Sequence, residues 1–515
     1  MSPAPRRLVL LVVGLLGLGL YFRFAHLDRK LYWNDEAFTV LWISGHSGAD
    51  LGQTLRDGPV RFEALQRFKH VDCSAGALGV IRTLTKAEPH QVPGYALLAW
   101  DWACLVGDSV SALRALSAVV SVLALGLTFW LCRELFEAPQ VAWLAAGLQA
   151  VSPFHVIYAQ EARDYSLWIV IVLLSSAALL RALRRQTPLA WAAYAVTLTA
   201  GLYTHLFFGF AIAAHTVYVL AGSHEPRAPT WRAYALASAA GVLPFLPWLV
   251  RLWHGRAAVL AQTGWTVNPS DLMPWLKTVL LNVTCVVFDA RMRDDNALYV
   301  LTIPIAIAMA AAGWSLLRHT PRRVWLFVAA LMLTTPIALG LPDLLFGGRR
   351  FIVFRYGVVL YIGIELALAH WLARHLERAN RWRSWWWWTV TAALLFGGIV
   401  SDLQFVRADT WWHKSISRSY REIAAVLRTA ERPLVVSESG GAVLTLSYAI
   451  PSGVSARVVT NGRLERVPAG FGEVFALCPS DTLLRSLTAL GPWTPVVSRQ
   501  TCENTELWRL TRRSD

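Results

Sequence analysis

Long apolar runs recur along this chain, and most are closed by a short cluster of charged residues. A run of about 18 or more apolar residues is long enough to cross about 30 Å of hydrocarbon as a helix. The pattern predicts eleven crossings: Leu8–Phe24, Val110–Cys132, Val141–Tyr158, Tyr165–Leu180, Pro188–Tyr203, Leu206–Ala221, Ala233–Val250, Ala297–Leu317, Val324–Leu341, Phe351–Ala373 and Trp385–Ser401. Val92–Val106 and Leu272–Val287 are also apolar, but counting either alone inverts the charge bias downstream. Their length and flanks suit helices lying at the membrane interface. From about Leu403 the pattern changes. Tyr420–Ala430 and Thr482–Leu490 have helical spacing, whereas Pro433–Val436, Ala456–Thr460 and Val474–Cys478 read as strands.

Charge orients these segments. Arg181, Arg184 and Arg185, then Arg318, Arg322 and Arg323, then Arg374, Arg378, Arg381 and Arg383 fall on one side of the map, the cytoplasmic side by the positive-inside rule. Arg6 and Arg7 precede the first run, and no small-x-small cleavage site follows it. It is therefore expected to be a retained first membrane helix, with the start of the chain inside and the tail outside. The predicted fold class is an all-α polytopic membrane protein of about eleven transmembrane helices plus interfacial helices, followed by a small C-terminal α/β extracytoplasmic domain. Residues 1–402 make the membrane domain, with an outer loop at 25–109, and residues 403–515 make the tail domain.

A formal charge of +15 would suit a nucleic-acid binder, but with 55% hydrophobic and 16% charged residues the arginines are mostly loop markers between apolar runs. The Trp385–Trp388 run beside Arg383 fits an interfacial aromatic belt, so no nucleic-acid partner is expected. Six cysteines show no CxxC spacing. Cys73, Cys104, Cys132 and Cys285 lie in or near apolar stretches and read as small core residues, while Cys478 and Cys502 could pair if the tail is outside the cytoplasm. Trp411, Trp412 and Lys414 read as docking the tail to the membrane.

Four clusters gather at the outer ends of the predicted helices: Asn34-Asp35-Glu36, Gln160-Glu161-Ala162-Arg163-Asp164-Tyr165, Tyr203-Thr204-His205, and Gly347-Gly348-Arg349-Arg350 with Arg355-Tyr356. Ionisable groups at membrane ends are costly and commonly serve function when they face a shared cavity. Acids near two helix ends suit a general base for an acceptor hydroxyl or amine and a second carboxylate to orient it. Arginines suit a phosphate, which they hold by bidentate, charge-assisted hydrogen bonds. A sugar on a lipid phosphate would present such a leaving group at the membrane surface, and no Gly-rich nucleotide loop is present. Each residue also has a plainer reading. Asp35-Glu36 could be a solvated helix start, Glu161 with Arg163 a structural ion pair, and Arg349 with Arg350 snorkelling side chains. His205 could be a satisfied turn residue.

Asp35-Glu36 followed by Gln160-Glu161-Ala162-Arg163-x-Tyr165 resembles bacterial members of glycosyltransferase family 39 and its relatives. These include protein O-mannosyltransferases and the lipid A aminoarabinose transferase, all of the GT-C fold. Leu202-Tyr203-Thr204-His205 and Gly347-Gly348-Arg349-Arg350 with Arg355-Tyr356 are similar as well, and the likeness covers roughly residues 8–402. The resemblance implies a polyprenyl-phosphate-linked sugar donor, an acidic pair that does chemistry, and an acceptor that is a glycan, lipid or protein. It implies Asp35 as base, Glu36 as its neighbour and Glu161 as the second acid. Arg163, Asp164, Tyr203, His205, Arg349, Arg350, Arg355 and Tyr356 then serve the donor phosphate or the substrate. Asp164 stands where an apolar residue is expected. Carboxylates could hold a divalent cation, but no His-rich or triple-carboxylate spacing demands one, so metal dependence stays open. The implied location is a bacterial inner membrane with the site on the periplasmic side.

The rival class is a transporter or flippase of a lipid-linked sugar, which calls for midspan charges and broken spans in matched halves. Glu365 is one such midspan charge, and Pro244–Pro247 is one such break. Neither has a counterpart in the other half of the sequence.

Overall fold

A computed structural model describes residues 6–222, 228–293, 296–378, 381–464, 466–497 and 507–510. The chain divides into two compact units. The first comprises Met1–Ala25, Pro89–Tyr95 and Arg114–Arg407; the second comprises His26–Glu88, Ala96–Leu113 and Ala408–Asp515. Each is therefore assembled from segments far apart in sequence.

The first unit is helical. Among the described residues, eight helices are long and apolar enough to cross a membrane, and a ninth span is possible if the bent pair Pro139–Ala150 and Pro153–Ala159 is counted as one. Phe208–Gly222 is a shorter apolar helix and Pro188–Thr204 a helix of 17 residues, so each of the eleven predicted runs corresponds to helix. The two stretches read as interfacial are the helices Pro93–Val106 and Leu272–Thr284. At 1.5 Å per residue each is only about 20 Å long, short of a crossing. Val358–Arg378 is the centre of the bundle, packed on Arg322–Thr335, Pro139–Ala150, Thr302–His319 and Arg381–Arg407. Its Glu365 lies 2.9 Å from His155 Nε2, and both side chains are buried. The midspan charge thus has a partner that the sequence did not reveal.

The bent pair turns by 56° at Val151–Ser152, where Pro153 starts a new helix and cannot donate to the old one. A helix ending inside a bundle leaves carbonyls that hydrocarbon cannot satisfy. Arg23 satisfies them here. Its guanidinium donates to Gln149 O and Ala150 O at 3.0 and 2.7 Å, and to Gly19 O of its own helix at 2.9 Å. A cation at a helix C-terminus is also favoured by the helix dipole. Gln160 completes the latch, because its Nε2 donates to Phe22 O and Ala25 O. The loop that follows the bent pair is therefore tied to the end of the first helix.

The second unit is built on a six-stranded sheet in the order β1-β3-β2-β4-β6-β5. The strands are β1 Val60–Arg61, β2 Pro433–Ser437, β3 Ser455–Val458, β4 Glu473–Leu477, β5 Trp493–Val497 and β6 Leu507–Leu510. β2 pairs in parallel with β3 and β4, and every residue of this central strand is buried, as expected for a strand covered on both faces. Leu434, Val436, Val474 and Ala476 pack on Leu483 and Leu487 of the helix Asp481–Thr488. β1 comes from the first loop and pairs antiparallel with β3, Val60 opposite Ala456.

Two expectations are corrected in this unit. Cys73 and Cys104 are joined in a disulfide instead of serving as small core residues; Cys73 ends its stretch on the exposed side, where a thiol can reach a partner. Cys132 and Cys285 are buried thiols, as expected, and Cys502 lies outside the described residues. Lys414 and Trp411 are buried inside the unit and are not presented for docking to a membrane.

Candidate active site

In the first unit the fold draws three of the four sequence clusters together. The segment Gln160–Tyr165 links the bent pair to the helix Tyr165–Arg185, with Gln160 held by the end of the first helix. Glu161 is fully buried and Arg163 nearly so. Arg163 Nε stands 3.9 Å from Asp164 Oδ1, and the guanidinium lies 5.8 Å from the Tyr165 ring centre. One turn on, Trp168 stacks face to face on His205 at 4.0 Å.

His205 ends the helix Pro188–Thr204 in extended backbone. Its Nδ1 accepts from the Phe207 N–H at 3.1 Å, which puts the proton of the neutral ring on Nε2. With one face covered by Trp168, burial lowers His205 to about 4. The Asp164 charge opposes this shift, and those of Arg163 and Arg355 add to it. His205 is a neutral imidazole near pH 7. The next residue but one, Phe207, meets the Tyr356 ring edge-on at 4.7 Å and brings in the third cluster.

That cluster divides by role. Arg350 Nε donates to Asp343 Oδ1 at 2.8 Å, and the other Asp343 oxygen accepts from the Phe351 N–H at 2.7 Å. Arg350 is thus committed to shaping its own loop. No hydrogen bond or ion pair is found from the Arg349 side chain among the described residues, and its Nε is buried. Arg355 lies 5.4 Å from the Tyr356 ring centre. Tyr203 has a structural use, donating from its hydroxyl to Pro244 O at 2.8 Å.

Sequence reasoning passed over two neighbours of these clusters. His90, between Pro89 and Pro93, is lowered to about 4 by burial and by the Arg163 charge. The polar break Pro89-His90-Gln91 ahead of an apolar run was its only signal. Gly94 lies against Tyr203: a Cβ there would stand 2.5 Å from Tyr203 O.

The fourth cluster belongs to the second unit. Asp35 and Glu36 occupy the first turn of the helix Asn34–Ile43, where the dipole favours acids. They are not equivalent. Glu36 is fully buried, and its Oε2 accepts from the Trp33 N–H at 3.3 Å, the carboxylate half of a capping box. The same oxygen lies 3.1 Å from Lys414 Nζ. Asp35 is half-buried. The helix rests on Gly440–Ala449, where Gly441 leaves room for Phe38 and Asn34. Among the described residues, no group of three or more His, Cys, Asp or Glu side chains is placed to hold a metal.

Comparison with solved structures gives a TM-score of 0.52 to ArnT from Cupriavidus metallidurans bound to undecaprenyl phosphate, at 14% identity and covering 98% of both chains. The fold is that of the GT-C glycosyltransferases. The apo state of that ArnT matches with a TM-score of 0.51 at 13% identity over 97% of each chain. The archaeal oligosaccharyltransferase AglB from Archaeoglobus fulgidus, in complex with an inhibitory peptide and a dolichol-phosphate, gives 0.52 at 14% identity. That match covers 92% of this chain and 69% of AglB. The family model described as dolichyl-phosphate-mannose-protein mannosyltransferase matches residues 88–251 of this GT-C chain, a span holding Glu161, Arg163, Tyr203 and His205. No curated protein matches it in sequence.

Proposed function

We propose that this GT-C protein transfers a sugar from a polyprenyl-phosphate donor to an acceptor hydroxyl or amine on the extracytoplasmic face of a bacterial inner membrane. The observation that carries the reading is the convergence of Gln160–Tyr165, His205 with Phe207, and Arg355–Tyr356 at helix ends of one unit, the first two of them inside the stretch where the family model matches. Solved relatives of this fold hold undecaprenyl phosphate or dolichol-phosphate, which supports a lipid phosphate as the shared ligand chemistry. The Cys73–Cys104 disulfide supports an oxidising compartment for the second unit.

In this reading Asp35 takes the proton from the acceptor, whose oxygen or nitrogen attacks the anomeric carbon as the bond to the lipid phosphate breaks. The outcome is inversion, and the polyprenyl phosphate leaves as an anion. Arg349, whose side chain has no partner among the described residues, takes the phosphate charge, with Arg355 and Arg163 adding positive potential. Neutral His205 donates from Nε2 to donor or acceptor oxygen. Glu161 orients the sugar or acceptor, and Asp164, Tyr203, Arg350 and Tyr356 shape the pocket. Glu36 supports Asp35.

The test is transfer from a panel of labelled polyprenyl-phosphate sugars by purified protein in lipid nanodiscs with acceptor-rich membrane extract. Asp35→Asn should lose about 10²- to 10⁴-fold in turnover, the usual worth of a general base, while still binding polyprenyl phosphate. Arg349→Ala should weaken that binding. Donor moved between leaflets with no product from any sugar would replace the transferase reading with the flippase.

A further inference from the structure

Lysine is rare in this chain: only five of its 48 basic residues are lysine, the rest arginine. Three of the five, Lys30, Lys69 and Lys414, are buried in the second unit. A lysine is a compact charge that a closed site can take where the wide guanidinium fork needs several acceptors. Burying one costs heavily unless a partner is in place, so each buried lysine marks a position where something specific is held.

At Lys414 that partner is an acid of the candidate site. Lys414 Nζ lies 3.1 Å from Glu36 Oε2 with both side chains wholly inaccessible, and 5.7 Å from the centre of the Trp33 ring. Trp33 is the residue that caps the helix carrying Asp35, and its own N–H donates to the same Glu36 oxygen. The ring of His413 packs edge-on against Trp33 at 6.0 Å. The approach to the helix is fixed by the same tail segment: Leu31 N donates to Asp409 O at 3.1 Å, Asp409 bridges Arg29 and Arg421, and Arg421 also donates to Arg29 O. Burial pushes the Asp409 carboxyl up, but the hydrogen bonds and charges of these two arginines together outweigh it and hold it below the usual carboxylate range. Residues 29–36 are therefore gripped on both sides by residues 409–421, and Lys414–Glu36 is a fully desolvated charge pair within that grip.

We propose that Lys414 is a positioning residue for the reaction. It holds Glu36 as the buried half of the acidic pair, so that the first turn of the helix presents Asp35 in one orientation. The proposal rests on the function read above and assigns the tail segment a direct part in it. Lys414 touches neither substrate nor the reacting atoms; it acts through Glu36.

The experiment compares wild type, Lys414→Met, Glu36→Gln and the double variant as full chains in nanodiscs. Transfer kinetics and hydrogen exchange of residues 33–40 are both measured. Lys414→Met should lower kcat by about tenfold or more while the donor KM stays within about twofold, the pattern of a lost transition-state arrangement. Exchange at 33–40 should rise by about tenfold or more, because the first turn opens locally. The double variant has no unpaired buried charge and should recover most of the exchange protection and part of kcat. A Lys414→Met protein with wild-type kcat and wild-type exchange overturns the proposal, as does a lowered kcat with unchanged exchange at 33–40. If wild type transfers no sugar but Lys414→Met still raises exchange at 33–40, positioning stands and the functional reading fails.

Discussion

The disulfide between Cys73 and Cys104 closes a loop whose ends are 31 residues apart in sequence. Replacing both cysteines by serine leaves the folded contacts nearly intact but frees the unfolded loop. Loop-closure entropy of 2.1 + 1.5R ln n cal/mol/K, with n near 31, amounts to about 3.7 kcal/mol at 25 °C. If opening of this segment is a rapid equilibrium, its open population should rise about 500-fold, at 1.36 kcal/mol per decade. Inside the loop, the helix Gly76–Ala87 carries Arg82 and Lys86 on its exposed side. Trypsin reaches these peptide bonds only when the helix opens. The assay is the first-order rate of cleavage at Arg82 and Lys86 in nanodisc-held protein, read on a reducing gel. The Cys73→Ser/Cys104→Ser variant should be cut about two to three orders of magnitude faster than the oxidised protein, and wild type treated with reductant should behave like the variant. A difference under about tenfold would refute the entropic account, because it would mean the loop is already confined without the bond.

Lys69 donates to Ser447 O at 2.9 Å and sits over the Tyr448 ring at 4.5 Å, and burial pushes its ammonium from 10.5 down to about 8. The folded state releases this proton before the unfolded one. The second unit should therefore gain stability as pH rises from about 8 to 10.5, and denaturation of Lys69→Met should show a flatter pH profile there. His205, at about 4 in the fold, runs the same way at acid pH: its stabilisation is complete above 6.5 and lost as pH falls towards 4. Thermal unfolding at pH 7 and pH 5 should accordingly differ less in His205→Gln than in wild type. Gly94→Ala forces a methyl against Tyr203 O and should cost about 1–3 kcal/mol, visible as a lower midpoint in thermal unfolding followed by size exclusion.

The helices of the first unit were legible because a membrane imposes one requirement, apolar length, and that requirement is written locally. β2, β3 and β4 were legible for a related reason, since short buried β-branched runs stand out between polar turns. β1 was not, because the two residues Val60 and Arg61 carry no period and become a strand only by pairing with β3. The disulfide was hidden because Cys104 lies in the apolar stretch 93–106, where a cysteine reads as core. Of the candidate site, the identities of the clusters were visible but not the division of labour within them. Arg350 and Arg349 look alike in sequence, and only the position of Asp343 separates them. Glu36 and Asp35 look alike until Lys414, 378 residues away, takes one of them.

The seam between β1 and β3 also bears on how the protein is made. Val60 emerges early in synthesis, and its partner Ala456 is added only after the last long helix, Arg381–Arg407. The acidic motif therefore spends most of translation beside an incomplete sheet, without the lysine that neutralises Glu36. A chain stopped just before Lys414 would still carry every predicted span and every arginine of the first unit, yet its acidic helix would have neither the helix Gly440–Ala449 to rest on nor a cation to hold Glu36. Order in the acidic motif thus draws on residues that are made only after the last long helix.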